Sequence, residues 1–244
     1  ALGSQNTTEV KVLTKICCLV KYKMDADDIT LPADTLKILN EFLEEKAKRE
    51  REELERIDKK SNADIMFEED WQLSQFWYSA STKEALGKLV SKLLDEQEND
   101  TNVNNYRIAL LSCPSLYTTV KQVHNNVKIF EFDKRFSAYG DDFVFYDFNN
   151  AEEIGYLQEY KESFDLIIAD PPFLSEECIT KISKIISNLQ KPTTKIVFCS
   201  GAVVESWLTN CLQLKKCSFE PTHERNLGNE FVSYANFQLD NYLS

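Results

Sequence analysis

The chain has 244 residues, 43% of them hydrophobic and 11% aromatic, which is the make-up of a globular protein with core enough for one α/β domain and an appendage. Lys and Arg number 28 against 40 Asp and Glu, a formal net charge of −12; a polyphosphate partner calls for a basic surface, so this balance disfavours nucleic acid and suits a basic protein partner. Seven cysteines without a C-x-x-C pair, only two histidines (His124 and His223) and no apolar run of bilayer length disfavour a disulfide framework, a metal site and a membrane anchor, and place the chain in the reducing cytoplasm.

Residues 1–23 read as an extension of uncertain origin, expected to be disordered. Met24-Asp25-Ala26-Asp27-Asp28 has the look of a natural start, and the apolar stretch 12–20 lacks the small-residue cleavage site of a signal peptide. Residues 24–62 form a charged helix and linker. The helix runs over 31–60, capped by Thr30 or Asp34, with Leu36, Leu39, Phe42 and Leu43 on one face and opposite charges at i,i+4 beyond them.

Residues 63–244 form the main domain. The aromatic-rich segment Trp71-Gln72-Leu73-Ser74-Gln75-Phe76-Trp77-Tyr78 opens it, and an amphipathic helix follows to about Leu94. Strands and helices then alternate: strands at 106–112, 127–133, 143–148, 166–169 and 195–200, helices at 115–124, 175–189 and 203–212. Alternation of this kind implies a parallel doubly wound sheet. The last two strands, 216–220 and 231–237, have no helix between them and close the sheet as an antiparallel hairpin. That ending is typical of a Rossmann-like, class I methyltransferase with seven strands.

The segment Phe164-Asp165-Leu166-Ile167-Ile168-Ala169-Asp170-Pro171-Pro172-Phe173 carries the most information. An apolar run without polar alternation is a strand buried on both faces. Two prolines then end it abruptly and stiffen the turn, because proline fixes φ and donates no N–H. The turn falls at the carboxyl end of a strand, where ligand crevices of open α/β sheets lie. Asp170, Pro171, Pro172 and Phe173 thus offer a carboxylate, backbone carbonyls and an aromatic face on a rigid platform, groups suited to holding a neutral amine by its hydrogens.

Two further acids follow the same logic. Asp133 closes the second strand and can accept both hydrogen bonds of a ribose diol. Asp147 closes the third and can receive an adenine exocyclic amine, with Phe148 against the ring. A lone acid at a strand end is commonly a cap or turn residue; acids at successive strand ends beside the tetrapeptide point to a nucleoside. The first turn, Ser112-Cys113-Pro114-Ser115, has no glycine, which argues against a dinucleotide and its pyrophosphate. S-adenosyl-L-methionine has no phosphate, and Ser112, Pro114 and Ser115 feeding a helix can meet its carboxylate.

The blocks 71–78, Phe130-Glu131-Phe132-Asp133-Lys134-Arg135-Phe136 with Tyr139-Gly140, 170–178 and Arg225-Asn226-Leu227-Gly228-Asn229-Glu230-Phe231 together resemble the eukaryotic elongation factor 1-alpha lysine methyltransferases, formerly labelled N6-adenine-specific DNA methyltransferases. The resemblance runs from about residue 30 to the end, with Phe173 where the motif more often has Tyr. It implies an S-adenosylmethionine-dependent protein-lysine N-methyltransferase acting on elongation factor 1-alpha, a basic protein. It adds Gln72 to the cofactor residues and Trp77, Tyr78, Arg225 and Asn226 to the candidate substrate contacts. For Trp77 and Tyr78 ordinary packing on the sheet is the alternative. The motif is shared with adenine methylases and reports a nitrogen acceptor without saying which. N6-adenine methylation of DNA or RNA therefore stays open, with Lys181, Lys184, Lys191 and Lys195 as its basic track, as does, less favoured, a non-catalytic scaffold.

Overall fold

The structure is a computed structural model that describes residues 35, 37, 38, 41, 44, 45, 48, 67–70, 73–97, 105–225 and 230–243. The chain divides into two units, Ala1–Lys59 and Lys60–Ser244. In the first, the described residues are helical, and Lys37 faces Glu41 one turn on. The expected extension over 1–23 and the apolar face of the 31–60 helix lie outside the described residues, as do Gln72 and Asn226.

In the second unit, helix α1 (Ala80–Asp95) begins where the Ser79 hydroxyl accepts the Thr82 N–H, a side-chain cap. Leu86, Leu89, Val90, Leu93 and Leu94 recur at helical spacing and are all buried against the sheet. The strands are β1 (Ile108–Leu111), β2 (Val127–Glu131), β3 (Phe143–Phe145), β4 (Phe164–Ala169), β5 (Gln190–Gly201), β6 (Lys215–Lys216) and β7 (Phe231–Ala235). Between them run α2 (Tyr117–Val123), α3 (Glu176–Leu189) and α4 (Glu205–Leu212), and α5 (Asp240–Leu243) ends the chain.

The seven strands lie in the order β3-β2-β1-β4-β5-β7-β6, with β1 to β5 parallel and β7 antiparallel to both neighbours. This is the doubly wound sheet with a terminal hairpin expected of a Rossmann-like methyltransferase. All four residues of β1 are buried, because helices cover both faces. Ala109, Leu111, Ile167 and Ala169 pack with α3 and α4 on one side. Ile108, Leu110, Leu166 and Ile168 pack with α1 and α2 on the other.

Three details differ from the sequence expectation. Strand β2 ends at Glu131 and β3 at Phe145, two residues before Asp133 and Asp147. Each of those aspartates instead caps a short 3-10 turn, accepting the N–H of Arg135 or Asn149. Strand β6 holds only Lys215 and Lys216, because the chain beyond it leaves the sheet and forms an antiparallel bridge between His223 and Tyr78.

Candidate active site

The chain leaves β1 toward β2 on one side and reaches β4 on the other, so the ends of β1 and β4 flank the switch point of the sheet. Asp170 lies one residue past β4, and its N–H still donates to Leu111 O at 3.0 Å, continuing the ladder. Pro171 is buried, Pro172 half-buried, and Phe173 is 42% exposed. The Phe173 ring meets Phe148 edge-on, centroids 6.0 Å apart. Next, Leu174 rests on Gly201 so closely that a Cβ there would lie 2.8 Å from Leu174 Cδ1. Ser175 then caps α3 by accepting the Cys178 N–H. The tetrapeptide is thereby held at both ends.

Asp170 lies deep in the packed interior yet keeps an opening to the crevice. Desolvation pushes its carboxyl up to about 8; the Tyr78 hydroxyl works against that rise and the Glu131 carboxyl adds to it. Tyr78 is 1% exposed. Its hydroxyl lies near enough to Asp170 to favour the carboxylate but closes no hydrogen bond of ordinary length. The backbone N–H of Tyr78 donates to Ser115 Oγ at 3.2 Å, so Ser115 helps hold this tyrosine in place.

The neighbouring residue points elsewhere. Trp77 packs edge-on against Phe136 and its indole N–H donates to Phe67 O at 3.1 Å. Glu69 accepts the Trp77 backbone N–H at 2.8 Å and pairs with Arg225 at 3.2 Å. Glu224 N–H donates back to Trp77 O at 2.8 Å. Trp77 and Arg225 thus sit in a clamp that ties residues 67–70 and 73–79 to residues 222–225, and this strap delivers Tyr78 to Asp170. His223 joins it, its ring 5.2 Å from Tyr78 and 4.7 Å from Phe231.

Of the cofactor candidates, Asp133 is buried and fully engaged. Arg135 approaches Asp133 Oδ2 at 2.7 Å, Gln75 donates to the same oxygen at 3.0 Å, and the Arg135 N–H donates to Oδ1. Asp147 accepts both the backbone and side-chain N–H groups of Asn149 on Oδ1, which leaves Oδ2 without a partner among the described residues. Ser112 takes a left-handed backbone conformation, φ +54°, and Pro114 is buried at the start of a 3-10 turn.

Sequence reasoning missed Glu131, the true end of β2. It is buried, its Oε1 accepts the N–H groups of Phe132 and Asp133, and its Oε2 has no partner among the described residues. Burial is the main cause that raises its carboxyl to about 7. Also missed were Gln75 and the hydroxyls of Tyr146 and Ser200. Four buried polar side-chain atoms among the described residues have no partner: Ser183 Oγ on α3, and the hydroxyls of Tyr78, Tyr146 and Ser200. Tyr146 follows β3 and Ser200 is next to last in β5, so three of the four belong to the carboxyl-end rim. Such orphans are costly unless a ligand satisfies them.

A family model described as "Probable N6-adenine methyltransferase" matches residues 69–239. A protein-lysine N-methyltransferase of Drosophila melanogaster is 59% identical over 220 residues, 89% of this chain and 98% of that protein. The EEF1A lysine methyltransferase 1 of Homo sapiens is 41% identical over 86% of this chain and 94% of its own length. A protein-lysine N-methyltransferase of Dictyostelium discoideum is 38% identical over 86% of this chain and 92% of its own length.

Proposed function

The chain belongs to the protein-lysine N-methyltransferase family, and from that membership we propose that it transfers the methyl group of S-adenosylmethionine to a lysine side chain of translation elongation factor 1-alpha. When bound, the cofactor supplies an electrophilic methyl on a sulfonium. The chain's own residues must then present the amine in its neutral form.

Neutralising a lysine at pH 7 costs ~4.6 kcal/mol from a pKa near 10.4. An ordinary aspartate would add to that cost by favouring the ammonium. Asp170 is not ordinary: with its carboxyl near 8, handing it the lysine proton costs ~3 kcal/mol, against ~9 kcal/mol for an unperturbed aspartate. At pH 7 such a carboxyl is mostly neutral, so Asp170 first releases its own proton to solvent; as the carboxylate it then accepts a hydrogen bond from the amine and takes the lysine proton, with the Pro171 carbonyl as a second hydrogen-bond acceptor. Phe173 and Tyr78 wall the amine and exclude water. Glu131 Oε2 takes the ribose hydroxyls, the role that sequence spacing gave to Asp133, and Asp147 with Phe148 faces the adenine.

What favours a protein amine over a nucleic-acid base is the pairing of the lysines an adenine methylase would use as its track. Lys181 pairs with Glu177, Lys184 with Glu152, Lys191 with Asp165 and Lys195 with Glu96. A lysine already answered by a carboxylate has little to offer a phosphate. No helix among the described residues is long and apolar enough to cross a membrane.

The test is to incubate the protein with radiolabelled S-adenosylmethionine and a eukaryotic lysate, with and without nuclease, beside Asp170→Ala. A single nuclease-resistant labelled protein of elongation-factor size, absent with the variant, is the expected result. Label in nuclease-sensitive material would overturn the choice of acceptor.

A further inference from the structure

We propose that Tyr78 is a positioning residue of the methyl transfer, its buried hydroxyl held in reserve to hydrogen-bond the Asp170 carboxylate once an amine arrives. This deepens the lysine-amine mechanism and rests on it. Two observations on Tyr78 carry the proposal. Its hydroxyl is buried with no hydrogen-bond partner among the described residues, and the Asp170 carboxyl lies close enough for that hydroxyl to favour its ionised form.

A buried hydroxyl without a partner is a standing cost, and a bond closed only in the reacting complex converts that cost into selective stabilisation of the complex. While the Asp170 carboxyl is neutral, Tyr78 gains little by closing on it. A positively charged amine draws the carboxyl into its ionised form, and a bond from Tyr78 to that form is the stronger, charge-assisted kind. The bond also fixes the carboxylate plane, leaving the other oxygen for the amine.

The strap makes the arrangement specific to Tyr78. The bridge to His223, the bond from Tyr78 N–H to Ser115 Oγ and the Glu69 clamp around Trp77 all fix the backbone here. The titratable groups facing the pair are Glu131 from the end of β2, Cys113 after β1 and Cys199 on β5. Both thiols are pushed up by burial and stay neutral. His223, beside the Tyr78 ring, is shifted down, chiefly by desolvation, with Glu69 opposing. Among these groups only Glu131 titrates in the same range as Asp170, so Glu131→Gln is the background for the measurement.

The experiment compares Tyr78→Phe with the parent, each carrying Glu131→Gln and each a ¹³C label at the aspartate carboxyls. Asp170 is followed by NMR as pH is raised, with no methyl acceptor present. That readout survives even if the elongation factor is not the substrate. The Asp170 midpoint is expected to rise by about one pH unit without the hydroxyl. Turnover is then measured in the otherwise native chain on the labelled protein found in the lysate test. There Tyr78→Phe should lower kcat about tenfold to a hundredfold with KM nearly unchanged, and move the acid limb upward. An unmoved midpoint with unchanged kcat overturns the proposal. A loss confined to S-adenosylmethionine affinity also overturns it, by giving the hydroxyl to the cofactor.

Discussion

Gln75 and Asp133 are 58 residues apart in the chain and joined by a buried hydrogen bond of 3.0 Å from the Gln75 amide to the carboxylate. Arg135 completes the triangle, reaching both Asp133 Oδ2 and Gln75 Oε1. This node fastens the strap that carries Tyr78 to the turn after β2. Removing one partner of a buried pair strands the other charge, at a cost of about 3–5 kcal/mol. Asp133→Ala is therefore expected to lose about 3 kcal/mol of stability in urea denaturation, whereas a residue used only as a cofactor ligand would leave the urea midpoint of the free protein in place.

Glu131 gives the opposite signature. Its side chain is uninvolved in any ion pair among the described residues, so Glu131→Gln should leave the fold intact while weakening S-adenosylmethionine binding about tenfold to a hundredfold in calorimetry. The carboxylate must be ionised to accept both ribose hydroxyls. With its value raised to about 7, affinity in the parent protein should fall as pH drops below 7, and in the variant that dependence should disappear.

The same two buried carboxyls set the pH dependence of stability. Glu131 and Asp170 both have folded values above their unfolded ones, at about 7 and about 8. Their contribution is fully present below pH 4 and is lost as pH rises through 7 and 8. The free protein should therefore melt at a lower temperature at pH 8.5 than at pH 6. Asp170→Asn should flatten that decline, because the amide never has to ionise, while abolishing turnover on the labelled substrate. A variant that loses turnover yet keeps the parent's full decline between pH 6 and pH 8.5, beyond the share Glu131 supplies, would contradict the assignment of Asp170 as a costly, functional carboxyl.

The sequence made much of this legible because backbone and solvent leave few options for it. An unbroken apolar run such as 166–169 has to be covered on both faces, and two prolines have to end it, so the end of β4 and its turn fall where expected, although the strand begins two residues earlier, at Phe164. The adjacent β-strand end was harder. In Ile129-Phe130-Glu131-Phe132-Asp133 both acids have the same strand parity, so alternation could not say which one ended the strand and which capped the turn. Trp77 and Tyr78 posed the converse difficulty. Neighbours in an extended segment face opposite ways, and composition gives no hint of which one meets the site. Gln75 carried no signal at all, since an amide's burial depends on partners from a distant turn.

The glycine-free turn after β1 yields the last expectation. A turn without glycine argued against a dinucleotide, whose pyrophosphate needs close approach to the backbone. Here Ser112 adopts φ +54°, the left-handed region that glycine enters freely, while its N–H still donates to Phe130 O at 3.0 Å. A residue with a Cβ held there is strained by about 1–2 kcal/mol. Glycine would relieve the strain and give back about 0.5–1 kcal/mol through its more flexible unfolded chain. Ser112→Gly should thus be neutral or stabilising by up to about 1 kcal/mol in urea denaturation, and Ser112→Val should cost more than 1 kcal/mol because its branched Cβ fits the region worst. If the serine is kept for its hydroxyl, Ser112→Gly will also weaken S-adenosylmethionine binding while the protein becomes no less stable. That pairing of outcomes would show the strain to be retained for the sake of the ligand.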